Sequence, residues 1–503
     1  MKVSGNFLNQ VDPKIVAELM EVVSKLSKKD PTLWGEAASA EAAIRLNWVD
    51  LPTSSRELLP QLDALSAWAR TQSLTQVILC GMGGSSLASE VIANTYKRNL
   101  TILDSTDPKQ IINATPEDLG STLVVIASKS GSTIETTSQM AYFEEKFTSA
   151  KLIPANHFVI VTDPNSALEA QARSKGYKVI NADPNVGGRF SALSAYGLVP
   201  AALVGFDVTQ LLDDAVNATK NLVGKDCVAA NIAAAIYQSP SQFITFINNG
   251  LAVPGLEDWI EQLIAESTGK EGKGKLPIIN KSDAQLKFGM SIGFASGDYD
   301  LVVEAELGAH FILWEWVTAL LSYLLKVDPF NQPNVTEAKE QTNHVIKKGN
   351  FAYPQELKTF EDEYFQIYSN KDVTSLDDFL QLKNEYFAVM AYLTRGEDDL
   401  ITELSQLISA RTGVASTFGW APRFLHSTGQ FHKGGTPNGA FIQITSQDQI
   451  ELAIPGKTFT FKELITAQAI GDAVALSNRN YPFLQIHLKD KKIGILKLIE
   501  GLK

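Results

Sequence analysis

Short apolar runs alternate with helical patterns between residues 75 and 183. The runs are rich in Val, Ile and Leu and end in turn residues, which is typical of buried parallel strands. They read TQVILC, LTILDS, TLVVIAS, HFVIVTD and YKVINAD, and the helical patterns between them cover 85–96, 134–147 and 167–175. This alternation predicts an α/β fold in which helices cover both faces of a parallel sheet.

The rest of the chain predicts a second α/β region flanked by extensions. Apolar residues at helical spacing from Ile15 to Leu26 predict an N-terminal helix. A strand over 242–248 and a helix over 254–266 open the second region. We expect strands at 386–393 and 440–445 to complete its sheet, around an inserted helical lobe that starts at Leu301. The predicted domains are 1–50 (a helical extension), 51–225 and 226–455 (two αβα sandwiches, each with a parallel sheet) and 456–503 (a C-terminal tail with helices and one strand).

Composition narrows the class of protein. The 503 residues are 45% hydrophobic with a formal net charge of −12, which fits a soluble globular protein of two or more domains. The negative charge argues against sequence-independent nucleic-acid binding, which needs a broad basic surface. Cys80 and Cys227 provide no disulfide framework. No secretion signal and no apolar run of bilayer-spanning length is recognised, so we expect a cytoplasmic location and no membrane partner.

A hydroxyl-rich segment, SKSGST over 128–133, directly follows an apolar strand and begins a predicted helix. Its hydroxyl and ammonium donors are Ser128, Lys129, Ser130, Ser132 and Thr133. A helix start leaves backbone N–H groups unpaired and carries a partial positive charge, so these donors predict a cradle for a phosphate group. The alternative is a serine-rich helix cap that binds nothing, although a cap needs only one hydroxyl.

A glycine-rich turn, GMGGSS over 81–86, follows the first predicted strand. With Asp104 at the end of the next strand, it allows interpretation as a dinucleotide-binding fingerprint. Ser86 stands where that fingerprint has Gly or Ala, and a second hydroxyl-rich turn would have no role in binding a pyrophosphate. A tight turn without a ligand is the third interpretation. Because parallel strands end at one edge of a sheet, we expect the turns at 81–86, 128–133 and 187–189 to converge on one cleft.

Glu266 ends a predicted helix and precedes the glycine-rich run TGKEGKGK. The glycines allow a ligand to approach the backbone, and Lys270, Lys273 and Lys275 concentrate positive charge there. Glu266 is therefore either a candidate general base or an ordinary solvated charge.

Five blocks in this order resemble the glucose-6-phosphate isomerases, which have two sugar-isomerase (SIS) domains. The blocks read GMGGSS (81–86), SKSGST (128–133), VGGRFS (186–191), ESTGKEGKG (266–274), and WEW followed by DPFNQPNVTEAK (328–339). DPTLWG near the start and RFLHSTGQFHKGG near the end also resemble the isomerase modules found fused to transaldolase. The resemblance implies interconversion of glucose 6-phosphate and fructose 6-phosphate through a cis-enediol, a step of glycolysis and gluconeogenesis, without a cofactor.

The resemblance also implies roles for individual residues. Gly83, Gly84, Ser85 and the 128–133 turn would hold the substrate phosphate. Glu266 would move a proton between C2 and C1, and Arg189 would stabilise the charge of the enediol intermediate, which suits a side chain that keeps its charge at any working pH. The alternative for Arg189 is an ordinary salt bridge. Gln332 would anchor the substrate, and Lys339 would assist at the ring oxygen.

The histidine that opens the sugar ring departs from the family pattern. In the family it lies in an LHSxGQ segment about twenty residues after the base, a distance that leads here to Lys287, whereas LHSTGQ covers 425–430. We expect that elements of the second domain are reordered in sequence and that His426 is this acid/base. His432 and Lys433 are either substrate contacts or unrelated neighbours. The other histidines are expected to be packing or surface residues: His157, His310, His344 and His487.

Other functions fit the same phosphate cradle. They are an isomerase of a related sugar phosphate, such as mannose 6-phosphate or an amino-sugar phosphate, a non-catalytic sugar-phosphate sensor with two SIS domains, and a nicotinamide oxidoreductase. No metal-binding motif is recognised, so we expect no catalytic metal. By resemblance alone, the expected partner is a second copy of the chain in a homodimer.

Overall fold

The computed structural model describes residues 1–224, 226–248, 253–280 and 286–503. The strands are β1 Lys2–Ser4, β2 Gln76–Gly81, β3 Thr101–Leu103, β4 Thr122–Ala127, β5 Phe158–Thr162, β6 Lys178–Asn181, β7 Phe243–Ile247, β8 Leu276–Asn280, β9 Met290–Gly293, β10 Leu301–Glu304, β11 Lys358–Glu361, β12 Phe365–Ser369, β13 Tyr386–Ala391, β14 Ala415–Trp420, β15 Gly439–Ser446 and β16 Phe483–Leu488. The helices are α1 Pro13–Leu26, α2 Glu36–Ala43, α3 Leu51–Ser54, α4 Leu59–Thr71, α5 Leu87–Thr95, α6 Pro108–Asn113, α7 Ile134–Ser149, α8 Ala167–Ser174, α9 Ala195–Leu203, α10 Val208–Leu222, α11 Val228–Gln238, α12 Leu256–Thr268, α13 Leu307–Leu325, α14 Pro333–Lys348, α15 Leu376–Leu380, α16 Glu403–Thr412, α17 Gly429–Gly434, α18 Phe461–Ser477 and α19 Lys491–Leu502.

The chain folds as two compact units. The first unit comprises Met1–Asp104, Ala114–Thr268 and Gly274–Asn331, and the second comprises Ser105–Asn113, Gly269–Lys273 and Gln332–Lys503. The first unit contains two sheets, and the second unit contains a third.

The first sheet has the strand order β3-β2-β4-β5-β6, and all its pairings are parallel. Strands β4 and β5 are buried along their whole length, as their continuous apolar sequences predict. All five predicted strands of this region are present, and α5, α7 and α8 begin and end within two residues of the predicted helices. The α/β prediction for this region is confirmed.

The second sheet has the order β1-β10-β9-β7-β8. Strand β1 pairs antiparallel with β10, and the remaining pairings are parallel. The predicted strand at 242–248 and the helix after it are confirmed as β7 and α12. Strand β1 was not predicted, because three residues are too few to show a period of two. The predicted helical lobe from Leu301 is wrong at its start, since the β-branched pair Val302 and Val303 lies in β10.

Helix α13 lies in the core of the first unit. Almost all of its side chains are buried, which is typical of a helix that is apolar on every side. By length and composition α13 could cross a membrane, contrary to the expectation that no apolar run is long enough. However, 94% of its apolar stretch is buried inside the protein. Ring contacts to α12 and to β7 hold it there: Trp259 and Phe311 lie 4.9 Å apart between centroids, and Phe246 and Trp314 lie 5.3 Å apart.

The third sheet has the order β11-β12-β16-β15-β13-β14. Strands β16, β15, β13 and β14 are parallel, whereas β11 and β12 continue the sheet in antiparallel pairings. The prediction that the strands at 386–393 and 440–445 complete the second sheet is therefore wrong. Periodicity identified both strands correctly, but strand pairing depends on contacts between distant segments, and these two pair with each other in the second unit. The domain boundaries at residues 50, 225 and 455 stay a prediction.

Candidate active site in the first unit

Two glycine turns of the first unit touch each other. A Cβ atom built on Gly84 would lie 2.0 Å from the carbonyl oxygen of Gly188, which no real side chain allows. The Ser191 hydroxyl also donates to the Gly84 carbonyl oxygen at 3.2 Å. These contacts confirm that the turn after β2 and the VGGRFS turn after β6 meet at one edge of the sheet. Only glycine at position 84 permits this approach.

The SKSGST turn follows β4, which pairs directly with β2. The Ser128 hydroxyl donates to the Thr133 hydroxyl at 3.2 Å and accepts from the Gly131 amide at 3.2 Å, which closes the turn. Gly131 has a φ of +69°, a left-handed conformation that favours glycine. The Thr133 side chain makes no capping hydrogen bond to α7, so it does not act as a side-chain cap of this helix. The role of the turn as a phosphate cradle stays a prediction.

The outer part of this turn is exposed and rich in hydroxyls. Ser130 and Ser132 are both exposed, and their hydroxyl oxygens lie 3.0 Å apart. The Lys129 ammonium donates to the Asp163 carboxylate at 2.5 Å and to the Pro184 carbonyl oxygen at 3.1 Å. Burial lowers the pKa of Lys129, while Asp163 opposes that shift. Hydroxyl and amide donors therefore dominate the exposed surface of the turn, and a direct phosphate contact of Lys129 stays a prediction.

Glu266 lies in the last turn of α12 and faces Arg189. Its side chain belongs to a residue that is only 9% exposed, so the interpretation as a solvated charge is wrong. Its Oε2 atom lies 3.7 Å from Arg189 Nε and accepts a hydrogen bond from Gln262 Nε2 at 3.1 Å. Gln262 lies one helical turn earlier, which is the spacing that brings two side chains onto one face of a helix. The first unit thus holds a buried carboxylate beside a buried guanidinium.

Arg189 is fixed from a second direction. Its Nη2 atom donates to the carbonyl oxygens of Phe330 and Asn331, each at 3.1 Å. Burial lowers the pKa of Arg189, whereas Glu266 opposes the shift. A guanidinium keeps its charge under these conditions, because its ordinary pKa lies far above neutrality. Arg189 is a salt-bridge partner of Glu266, and the same geometry places a fixed positive charge next to a candidate base.

These parts of the first unit are joined through helix α12. The helix packs against the turn Gly83–Ser85 and against the turn Gly188–Phe190, which contains Arg189. Gly83, Gly84 and Ser85 therefore lie on the segment that the Glu266 helix contacts. The cluster combines a carboxylate, a fixed cation and a loop surface of hydrogen-bond donors, which together suit proton transfer next to the carbonyl of an anionic substrate.

The predicted lysine cluster after Glu266 is only partly correct. The Lys275 ammonium points into the first unit and donates to the carbonyl oxygens of Ser239 and Ser241 at 2.8 and 2.7 Å. Burial lowers its pKa to about 8. Lys275 thus binds the chain that leaves α11 rather than adding charge to a ligand surface.

Three predicted site residues lie in the second unit. Gln332 directly precedes α14 and Lys339 lies within that helix, and both are exposed. His426 ends a 3-10 turn, Arg423–His426, between β14 and β15. LHSTGQ thus lies in the second unit between two strands of the third sheet, and the expected reordering of the second domain's elements stays a prediction. Lys287 lies in the first unit, where its ammonium donates to the Asp298 carbonyl oxygen at 2.7 Å.

His432 and Lys433 are structural residues. His432 is buried among aromatic rings, the nearest being Phe441 at 5.4 Å between centroids, and burial lowers its pKa to about 3. The Lys433 ammonium lies 2.5 Å from the Asp472 carboxylate, with side-chain exposures of 2% and 0%. Both side chains thus have structural roles, and the interpretation as substrate contacts stays untested. The remaining histidines fit packing or surface roles, since His157 and His310 are buried, His487 is partly buried and His344 is exposed.

Two residues that hold these elements were missed from the sequence. Asp163 binds Lys129 and also accepts from the Tyr196 hydroxyl at 3.2 Å. Gln430 of LHSTGQ is fully buried and bonds to two other segments of the second unit. Asp163 directly follows strand β5, and Gln430 is the last residue of LHSTGQ, so both positions gave a signal that could have identified these residues.

The fold and this site define a class, an α/β protein with parallel sheets, a hydroxyl-rich turn at the end of a strand and a buried Glu–Arg pair. Residues 56–293 match the family model described as phosphoglucose isomerase. The predicted resemblance is confirmed.

Individual relatives agree with the family match. A glucose-6-phosphate isomerase of Mycoplasmopsis pulmonis is 25% identical over 427 residues, which cover 68% of this chain and 98% of that protein. One of Campylobacter jejuni is 33% identical over 205 residues, which cover 39% of this chain and 50% of that protein. The chain thus spans only about half the length of this more similar relative. A crystal structure of a glucose-6-phosphate isomerase from Chlamydia trachomatis superposes with a TM-score of 0.52 at 17% identity, over 68% of this chain and 85% of that one, and shows the fold.

Proposed function

We propose that this protein is an aldose–ketose isomerase that interconverts glucose 6-phosphate and fructose 6-phosphate through a cis-enediol intermediate. The observation that carries the proposal is the buried pair of Glu266 and Arg189, 3.7 Å apart, on elements that contact the first glycine turn. The family match of the segment that contains this pair supports the same reaction.

The pair supplies what the reaction needs. Removing a proton from the carbon next to a carbonyl leaves negative charge on the carbonyl oxygen, so the reaction needs a positioned base and a fixed cation. Glu266 takes the proton from C2 and returns it to C1, a hydroxyl proton moves from O2 to O1 in the enediol, and Arg189 stabilises the enediolate oxygen. The proton stays on one carboxyl between the two steps, so no external oxidant or cofactor is involved.

The phosphate of the substrate is assigned to the hydroxyl-rich turn. Ser85, Ser130, Ser132 and Thr133 offer hydroxyl groups to it. Ser128 closes the turn behind them, and the Lys129 ammonium is held at the turn by the Asp163 carboxylate.

The ring-opening step is assigned to residues of the second unit. His426 moves a proton to and from the ring oxygen, Lys339 assists there, and Gln332 anchors the substrate. A histidine suits this step because its protonation changes near neutral pH. We also propose that the enzyme is a cytoplasmic homodimer. The homodimer rests on the resemblance to the family alone.

The decisive test compares Glu266→Gln with wild type in a coupled assay that reports glucose 6-phosphate formed from fructose 6-phosphate. We expect the variant to bind fructose 6-phosphate in calorimetry while turnover falls by about three orders of magnitude or more, because the base is lost and the fold is kept. Glu261→Gln, a partly exposed residue of the same helix, is the matched control and should keep its turnover. Full activity of Glu266→Gln would refute the role of Glu266 as the base, whereas a wild type that binds fructose 6-phosphate without turnover would refute the isomerase and favour the sensor.

The same assay tests the other assignments. His426→Ala should lose activity and Lys287→Ala should keep it, and the opposite pattern would move the ring-opening role to Lys287. Mannose 6-phosphate as substrate tests the related isomerase, and affinity for NAD or NADP would favour the oxidoreductase.

A further inference from the structure

Gln430 bonds to two separate segments of the second unit. Its Nε2 atom donates to the carbonyl oxygen of Gly269 at 2.9 Å and to Asn334 Oδ1 at 2.8 Å. Its Oε1 atom accepts from the Asn334 backbone amide at 3.0 Å. Both ends of this buried amide are thus used, and each bond joins α17 to a segment distant in sequence. A buried amide with such satisfied bonds rigidifies the elements that it joins.

The segments that Gln430 joins carry the residues assigned to ring opening. Asn334 lies in the first turn of α14, the helix that carries Lys339. His426 lies four residues before Gln430, in the 3-10 turn that leads into α17. Helix α14 packs against both this turn and α17. The bond from Gln430 to Asn334 therefore sets how the His426 turn lies against the Lys339 helix.

The surroundings of α17 leave it little freedom to shift. A Cβ atom on Gly434 would lie 2.3 Å from Asn334 Oδ1, so the two segments are in direct contact. The Gly272 amide donates to the Gly434 carbonyl oxygen at 2.9 Å. On the other side, Lys433 pairs with Asp472 of α18. These contacts hold α17 on both sides, and the Gln430 side chain connects α17 to α14 through its hydrogen bonds to Asn334.

We propose that Gln430 is a positioning residue for ring opening, which holds His426 and Lys339 in their working arrangement without touching the sugar. This inference rests on the proposed isomerase function. It predicts that loss of the Gln430 amide slows the opening of the sugar ring and leaves the proton transfer by Glu266 intact, since the Glu266 carboxylate is held by Arg189 and Gln262 and not by Gln430.

The experiment compares two substrates in wild type and Gln430→Ala. Fructose 6-phosphate closes a ring through O5, whereas 5-deoxyfructose 6-phosphate stays an open-chain ketone, because O5 is absent and O6 carries the phosphate. We expect kcat for fructose 6-phosphate to fall by about 10- to 100-fold, the size of effect that a small misplacement of catalytic groups produces. Proton exchange at C1 of the deoxy substrate, followed by NMR in D2O, should change by less than about twofold.

Two further variants make the result specific. Asn334→Ala keeps its backbone amide and loses one acceptor, so it should show the same selective effect at smaller size, and it serves if Gln430→Ala does not fold. Gln485→Ala removes another buried glutamine of the second unit and should spare both substrates. If Gln430→Ala slows the reactions of both substrates equally, or slows neither, the inference is wrong. The proposed function still holds in that case as long as wild type is active. A wild type inactive on both substrates would overturn both.

Discussion

Glu315 is a carboxyl group buried in the middle of α13 and surrounded by apolar side chains. Its exposure is 0%, and neither carboxyl oxygen has a hydrogen-bond partner among the described residues. Burial raises the pKa of Glu315 well above its ordinary value of 4.5. The native protein therefore keeps this carboxyl protonated to a higher pH than the unfolded chain does.

This protonation makes the free energy of unfolding depend on pH. In the unfolded chain the carboxyl releases its proton near pH 4.5, whereas the native state keeps it. Above that pH the native state binds one more proton than the unfolded state, so stability falls as pH rises until the native pKa is reached. Between the pKa of the unfolded chain and the raised pKa of the native state, the slope is at most about 1.4 kcal/mol per pH unit.

Glu315→Gln removes this contribution to the pH dependence of the unfolding free energy, because an amide does not titrate. We expect the difference in unfolding free energy between the variant and wild type to rise steadily as the pH is raised above 4.5, by up to about 1.4 kcal/mol per pH unit. Urea titrations followed by tryptophan fluorescence measure it, since the neighbouring Trp314 and Trp316 are fully buried. The control Glu21→Gln, an exposed residue of α1, should leave the pH dependence unchanged. Parallel pH profiles of wild type and Glu315→Gln would refute the reasoning.

Two further changes test other parts of the fold. Gly84→Ala should raise KM for fructose 6-phosphate at least about tenfold in the coupled assay, because its Cβ would meet the Gly188 carbonyl oxygen at 2.0 Å and displace the turn. Gly188→Ala is the control and should behave like wild type, because nothing lies within 4 Å of a Cβ at that position. Lys433→Met should lower the unfolding free energy, measured by urea titration, by about 3–5 kcal/mol, because the Asp472 carboxylate stays buried without its cation. The double variant with Asp472→Leu should regain most of this loss. A single variant as stable as wild type would contradict this prediction.

Local patterns predicted much of the site. SKSGST and VGGRFS lie at strand ends because the strands before them are continuous apolar runs, which a sequence shows directly. Glu266 was recognised from its motif, and the structure adds that its carboxylate is buried beside Arg189. By contrast, Lys275 looked like a surface charge, since sequence does not show that carbonyl oxygens from a distant segment receive its ammonium.

The sequence by itself determined the strands and main helices of the first sheet, the hydroxyl-rich turn and the resemblance to the glucose-6-phosphate isomerases, because each depends on residues that are close together in the chain. Only the tertiary structure decided which strands pair. It placed the strands of residues 386–391 and 439–446 in a third sheet and LHSTGQ beside them. It also decided which charges are buried in pairs, as for Lys433 and Asp472. The physical reason is that pairing and desolvation depend on contacts between residues far apart in the chain, which no local period encodes.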